Sequence, residues 1–156
     1  MRKLVRSVMF SPADRLSAMS KAIYSLDADV VVFDLEDAVG PTFKEKAREN
    51  VIEILKTGAF DRCSVVVRVN CPVTTPWGRD DIDAISFSQS LRAILLPKVE
   101  DESTVNVALE VLQKRSIKSM TLLLMRQLNI ETSYSISMSK QCLNVMQFNN
   151  LNIRRW

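Results

Sequence analysis

The chain has 156 residues, 47% hydrophobic and 25% charged, with mean hydropathy near zero. That is the balance of one globular domain with a single core, and it excludes a disordered, collagen-like or disulfide-dense chain. The formal charge of +3 is local: residues 1–125 hold 17 basic and 17 acidic side chains, and the excess comes from Arg126, Lys140, Arg154 and Arg155 against Glu131, too sparse a set for a nucleic-acid face.

Leu4–Phe10 reads as a first strand, and Ser11-Pro12-Ala13-Asp14 as a turn into a helix from about Asp14 to Ser25. Leu16, Met19, Ala22, Ile23 and Leu26 form its apolar stripe at three- and four-residue spacing. Val30–Asp34 is a short continuous apolar run, as a strand buried on both faces requires. Gly40-Pro41-Thr42 breaks the chain, and Thr42 followed by Glu45 is the spacing of a capping box. A second helix then runs to about Lys56 with Ala47, Val51, Ile54 and Leu55 inward, and Gly58 ends it. Ser64–Val69 is a third strand; Asn70–Asp83, with Pro72, Pro76 and Gly78, reads as a long loop. Ala93–Leu96 is a fourth strand, Glu102 to about Arg115 a helix with Val105, Leu109 and Leu112 inward, and Met120–Met125 a fifth apolar run.

Strands alternating with helices predict an α/β fold with a parallel sheet and helical crossovers. The longest apolar runs, Val30–Phe33 and Ala93–Pro97, fall far short of the roughly 20 residues of a membrane span. Composition changes near residue 125: five of the eight asparagines follow Arg126, and all three glycines precede it.

The absence of histidine removes Ser-His-Asp and Cys-His nucleophilic chemistry and every histidine-containing metal site. Cys63, Cys71 and Cys142 form an odd, widely spaced set, read as small apolar fillers in a reducing compartment. In parallel α/β proteins functional groups gather at the carboxyl ends of strands. Those ends carry Ser11, Pro12 and Arg15; Asp34, Glu36 and Asp37; Arg68 and Asn70; and Lys98 and Glu100. Alternation places Asp34 and Glu36 on one side and Asp37 on the other, if the strand persists that far. Such close carboxylates need a cation among them, and Arg15 and Arg68 are the natural partners. Arg68 offers a planar fork suited to a carboxylate; a purely structural pairing with the acids next door is the alternative. For Lys98 an ion pair or phosphate contact is favoured over a Schiff base, which needs desolvation.

Arg6-Ser-Val-Met-Phe-Ser-Pro-Ala-Asp-Arg15, Val32-Phe-Asp-Leu-Glu-Asp-Ala-Val39, Val67-Arg-Val-Asn70, Thr75-Pro-Trp-Gly78 and Leu95-Leu-Pro-Lys-Val-Glu100 occur in the order and spacing of the citrate lyase beta-subunit-like family. Over about residues 4–125 the chain resembles that family, part of the HpcH/HpaI aldolase superfamily. The resemblance implies a TIM (β/α)8 barrel, here incomplete with about five parallel strands, since a full barrel takes about 250 residues. It also implies Mg²⁺-assisted carbon–carbon bond cleavage in acyl-CoA esters such as citryl-, malyl- or citramalyl-CoA. The expected partner is thus a CoA ester, with a homo-oligomer in full-length relatives, no nucleic acid and no membrane. The carry-over assigns Arg68 to the substrate's carboxylate or carbonyl oxygens, and Arg15 with Asp34, Glu36 and Asp37 to the polar floor of that site. Arg15 thus joins Arg68 as a substrate-binding candidate, and Lys98 joins the three acids as a catalytic one.

Family members carry a metal-binding glutamate in a Glu-Thr pair after the fifth strand and an aspartate after the sixth. Here Arg126-Gln-Leu-Asn follows Met125, and the Glu131-Thr132 pair is out of register, with no aspartate after Asp101. Glu131 is the candidate metal ligand on these terms. The sequence thus divides into an N-terminal barrel part, 1–125, and a divergent tail, 126–156. A shift of reading frame accounts for the change: Arg-Gln-Leu encoded AGA-CAG-CTN, read one frame over behind a G, gives Glu-Thr-Ala. A diverged but genuine tail is the alternative. The function alternative is a non-catalytic truncated isoform or pseudoenzyme. With no targeting peptide visible, a cytoplasmic location is expected, the mitochondrial matrix being the other.

Overall fold

The computed structural model describes residues 5–58, 60, 62–115 and 120–125, and the backbone of 145–147. Glu131 and Cys142 lie outside the described residues, as does most of the expected tail. In chain order the elements are β1 (Val8–Pro12), α1 (Leu16–Tyr24), β2 (Val30–Asp34), a 3₁₀ turn (Pro41–Phe43), α2 (Lys44–Thr57), β3 (Ser64–Arg68), α3 (Gly78–Ile85), β4 (Leu91–Leu96), α4 (Glu102–Lys114), β5 (Leu122–Leu124) and β6 (Val145–Gln147). The strands form one sheet in the order β1-β2-β3-β4-β5-β6, every neighbouring pair parallel. Among the described residues β1 and β6 are its open edges. This is the α/β arrangement expected, a length of barrel wall with helical crossovers; the short β6 is an addition to the five strands read from the sequence.

Strand alternation splits the core. Val31, Phe33, Val65, Val67, Ile94, Leu96, Leu122 and Leu124 pack with helix residues such as Met19, Ile23, Val51, Ile54 and Val105. Val32, Val66, Ala93, Leu95 and Leu123 form a second buried cluster, with Val8, Phe10 and Val30 packed against it. That second face is the inner wall of the curved sheet. Side chains of its parity at the strand ends, Asp34 and Arg68, therefore face inward.

Helix ends depart from expectation where loops compete. Thr42 does not cap α2: Pro41 starts a 3₁₀ turn closed by Phe43 N–H on the Gly40 carbonyl (3.0 Å), so the helix begins at Lys44 and Glu45 falls in its first turn. Gly58 ends α2 with φ 66°, a left-handed cap that a Cβ would strain. The inward set Ala47, Val51, Ile54 and Leu55 is buried as expected, whereas Leu26 lies beyond α1 and is exposed. The stretch Asn70–Asp83 is not all loop. Its prolines precede α3, and Gly78 lets the helix start against the preceding loop, since a Cβ there would come within 2.5 Å of the Asn70 carbonyl oxygen. Ile82 and Ile85 are then fully buried. In α4, Asp101 is a true N-cap, accepting from the Ser103 N–H at 2.7 Å. Among the described residues no helix is long and apolar enough to cross a membrane.

Candidate functional site

The β2–β3 register places Asp34 directly beside Arg68. The guanidinium takes the carboxylate in a two-point grip, Nε to Oδ1 at 2.8 Å and Nη2 to Oδ2 at 2.5 Å. Phe10, on the same inner face of β1, lies 5.2 Å under the guanidinium carbon. Burial, the largest single cause, opposes the Arg68 cation, but its hydrogen bonds to Asp34 and the charges of Asp34, Glu36 and Asp37 together outweigh it and raise its pKa above the ordinary arginine value.

Asp34 has a second task. Its Oδ1 accepts the Glu36 N–H at 2.8 Å and its Oδ2 the Ala38 N–H at 3.2 Å, which turns the chain sharply at the strand exit. Because the strand ends there, Asp37 does not pass to the opposite side as alternation predicts. It comes round to the same cluster, 4.0 Å from Arg68 Nη1 and 3.1 Å from Lys98 Nζ. Glu36 sits between both cations, Oε2 at 3.0 Å from Arg68 Nη1 and Oε1 at 3.0 Å from Lys98 Nζ. Its Oε2 is buried and makes no hydrogen bond, the Arg68 contact being a charge contact poorly aligned with the N–H. Burial is the main cause that raises the Glu36 pKa; Lys98 and Arg68 pull it down and Asp37 adds to the rise. Lys98 leaves β4 with φ 50° and is about half exposed. Its two acids push its pKa up, the opposite of what a Schiff-base amine needs.

Arg15 does not reach this cluster. It is the residue before α1, its side chain is 68% exposed, and its ion pair is with Asp14 at 3.6 Å. β1 runs on to Pro12, so the turn carries Arg15 past the point where it could face the acids.

A second polar group lies on the helix side of the same loop. Lys44 Nζ donates to the Leu35 and Glu36 carbonyls, both at 2.6 Å, and Asn70 Nδ2 donates to the Leu35 carbonyl at 2.9 Å. Asp81 Oδ2 accepts from the Asn70 N–H (3.0 Å) and Nδ2 (2.7 Å), while its Oδ1 accepts from Arg48 Nε at 3.0 Å. Sequence reasoning singled out Asn70 as a strand-exit residue but missed Lys44, Arg48 and Asp81. A signal existed: Lys44 lies on the stripe that continues through Ala47, Val51 and Ile54, and Asp81 beside Ile82 and Ile85. Cys63 and Cys71 are both buried. For Cys71 burial raises the pKa, but hydrogen bonds from Thr74, Val73 and Thr104 together bring it below the ordinary thiol value.

Among the described residues no group of three His, Cys, Asp or Glu side chains could hold a metal ion. The reason is visible in the pairing: Asp34 is consumed by Arg68 and backbone N–H groups, and Lys98 and Arg68 occupy the approaches to Glu36 and Asp37. These residues do not fit a Mg²⁺ site as they stand.

The profile of the HpcH/HpaI aldolase/citrate lyase family matches residues 6–146. A (3S)-malyl-CoA thioesterase of Cereibacter sphaeroides is 38% identical over 107 residues, 69% of this chain and 36% of that protein. The citrate lyase subunit beta of Leuconostoc mesenteroides subsp. cremoris is 40% identical over 98 residues, 63% of this chain and 32% of that protein. The crystal structure of the CitE protein of Mycobacterium tuberculosis with magnesium, acetoacetate and coenzyme A is 28% identical. It superposes with a TM-score of 0.56 over 80% of this chain and 41% of that one. The chain spans about a third of the length of these curated relatives.

Proposed function

The chain belongs to the HpcH/HpaI aldolase/citrate lyase family, and on that premise we propose that its inward cluster receives the acyl end of a CoA ester of the malyl-, citramalyl- or citryl-CoA class for carbon–carbon bond cleavage. The observation that carries the reading is the grip of Asp34 on Arg68 at the inner strand ends. Of the five N–H donors of an arginine, this grip takes one each on Nε and Nη2. Nη1, which lies 3.0 Å from Glu36 Oε2 without a hydrogen bond to it, is the donor a substrate oxygen would engage by displacing that contact. Cleavage of this kind develops negative charge on an enolate oxygen, and a fixed guanidinium stabilises it without reorganising. Arg68 is the substrate anchor in this scheme, and Asp34 holds its plane. Glu36, with a raised pKa and an Oε2 that accepts no hydrogen bond, can hold a proton or accept a substrate hydroxyl. Asp37 and Lys98 form the outer, solvent-facing rim. Arg15, away from the cluster, is kept only as a contact for the polar part of the CoA ester.

Mg²⁺ enters through the family. Glu131, its candidate ligand, lies outside the described residues, and no step above is routed through a metal. Residues 1–125 are taken as the barrel part and 126–156 as a divergent tail, in a chain acting in the cytoplasm or mitochondrial matrix, with the homo-oligomer kept for full-length relatives. Incubation with malyl-, citramalyl- and citryl-CoA in the presence of Mg²⁺, beside a full-length relative, tests the proposal. Cleavage by this chain supports it; none beside an active relative overturns it. Calorimetric titration with acetoacetate tests the binding step alone.

The pairing of every described acid in the cluster with a cation favours a second reading, a non-catalytic isoform. It predicts that Mg²⁺ binds only weakly, since hard cations need several oxygen ligands; tight calorimetric Mg²⁺ binding would exclude it.

A further inference from the structure

Lys44 is costly where it stands. It opens a fourteen-residue helix, whose N-terminal dipole end disfavours a cation, and it is only 5% exposed. Burial, the largest cause, holds its pKa below the ordinary lysine value despite the attraction of Asp81, Asp34, Glu36 and Asp37. A buried charge needs compensating bonds, and Lys44 finds them on two peptide carbonyls, of Leu35 and Glu36, with the Trp77 ring 5.5 Å away.

Those carbonyls belong to the turn that carries the acids. From the inner side, Asp34 holds the Glu36 and Ala38 N–H groups. From the helix side, Lys44 holds the Leu35 and Glu36 carbonyls and Asn70 shares the first. The peptide unit joining Leu35 to Glu36 is thus fixed at both its polar ends, and the next at its carbonyl. We propose that Lys44 is a positioning residue, which clamps this turn from behind so that the Glu36 carboxylate is delivered between Arg68 and Lys98. The purpose of that placement rests on the lyase reading; the clamp itself does not. Without the ammonium, two buried carbonyls lose a charged donor, the turn relaxes, and Glu36 leaves its two cations.

Lys44→Met keeps the apolar stem and removes the donors. In the full isotope-labelled chain, the Glu36 carboxyl ¹³C signal is titrated alongside the Arg68 Nε–H resonance, with circular dichroism as the folding control. The expected result is a folded variant whose Glu36 midpoint falls toward that of an exposed glutamate and whose Arg68 signal shifts. A merely structural lysine would lower the melting temperature and leave both signals unchanged, and that outcome overturns the proposal. Should Lys44→Met fail to fold, the wild-type chain decides. Couplings from the Lys44 ammonium to the Leu35 and Glu36 carbonyls support the clamp, and a rapidly exchanging, uncoupled ammonium overturns it. Acetoacetate affinity in the same samples is expected to weaken about tenfold or more in the variant. Wild-type chain that fails to bind acetoacetate counts against the lyase reading alone, while the Glu36 signal still decides the role of Lys44.

Discussion

The turn after β2 has a polar cluster on each side, and the two differ in how their charges close. On the inner side Asp34, Glu36, Asp37, Arg68 and Lys98 leave the Glu36 Oε2 without a hydrogen bond, and Asp37 and Lys98 are 58% and 48% exposed. On the helix side Lys44, Arg48, Asn70 and Asp81 are joined by hydrogen bonds of 2.6–3.0 Å. Asp81 is fully buried there and Asn70 nearly so. The residue types are alike. The inner cluster, with a spare acceptor and an open rim, can exchange a protein partner for a ligand. The outer one cannot open without stranding a buried polar group, so it serves as scaffold.

The comparison breaks most sharply at Asp81. Asp81→Ala strands Asn70 and Arg48 and is expected to cost about 3–5 kcal/mol, whereas Asp37→Ala on the exposed rim should stay within about 0.5 kcal/mol. Chemical denaturation of both variants checks this, and similar losses would erase the distinction. Gly78→Ala comes next. Its Cβ would lie 2.5 Å from the Asn70 carbonyl oxygen and 2.6 Å from the Cys71 carbonyl carbon, both backbone, and overpacking of this kind costs about 1–3 kcal/mol. The same unfolding measurement should place it between the first two variants.

Arg68→Lys sharpens the comparison from the inner side. In an active full-length relative the change keeps the charge but loses the two-point grip, so kcat/KM should fall at least about tenfold, roughly 1.4 kcal/mol. A smaller fall in steady-state kinetics counts against Arg68 as anchor. The least effect is expected from Glu36→Gln and shows as pH dependence. The Glu36 pKa is raised above its ordinary value of 4.5, so the folded chain binds this proton more tightly than the unfolded chain does. Its contribution therefore favours folding at low pH and is lost as pH rises from 4.5 through the raised pKa. Denaturation curves across that window should show a flatter pH dependence in the variant, and an unchanged slope would contradict the burial argument.

Most of the wall was legible because its signals are local. Valine-rich runs announced β2 and β3, and Gly58 announced the end of α2. The helix that escaped, α3, is hidden by two prolines and a glycine just before and at its start. Those residues read as loop in the sequence, yet in the fold they allow a tight approach to the Asn70 turn. Thr42 misled in the opposite sense, offering a local capping pattern that the turn at Pro41 pre-empted.

The sequence by itself determined the parallel α/β order, the charged strand exits and the motifs of the family, since each depends on spacing along one segment. Tertiary structure alone decided which of the candidate partners meet. Asp34 meets Arg68 because strand register sets them side by side, Arg15 is carried away by the turn before α1, and Lys44 and Asp81 are drawn inward on helix stripes. The physical reason is that the cost of a charge depends on its burial and on what lies opposite it, and the fold sets both, often between residues more than 30 positions apart, as with Asp34 and Arg68 or Arg48 and Asp81.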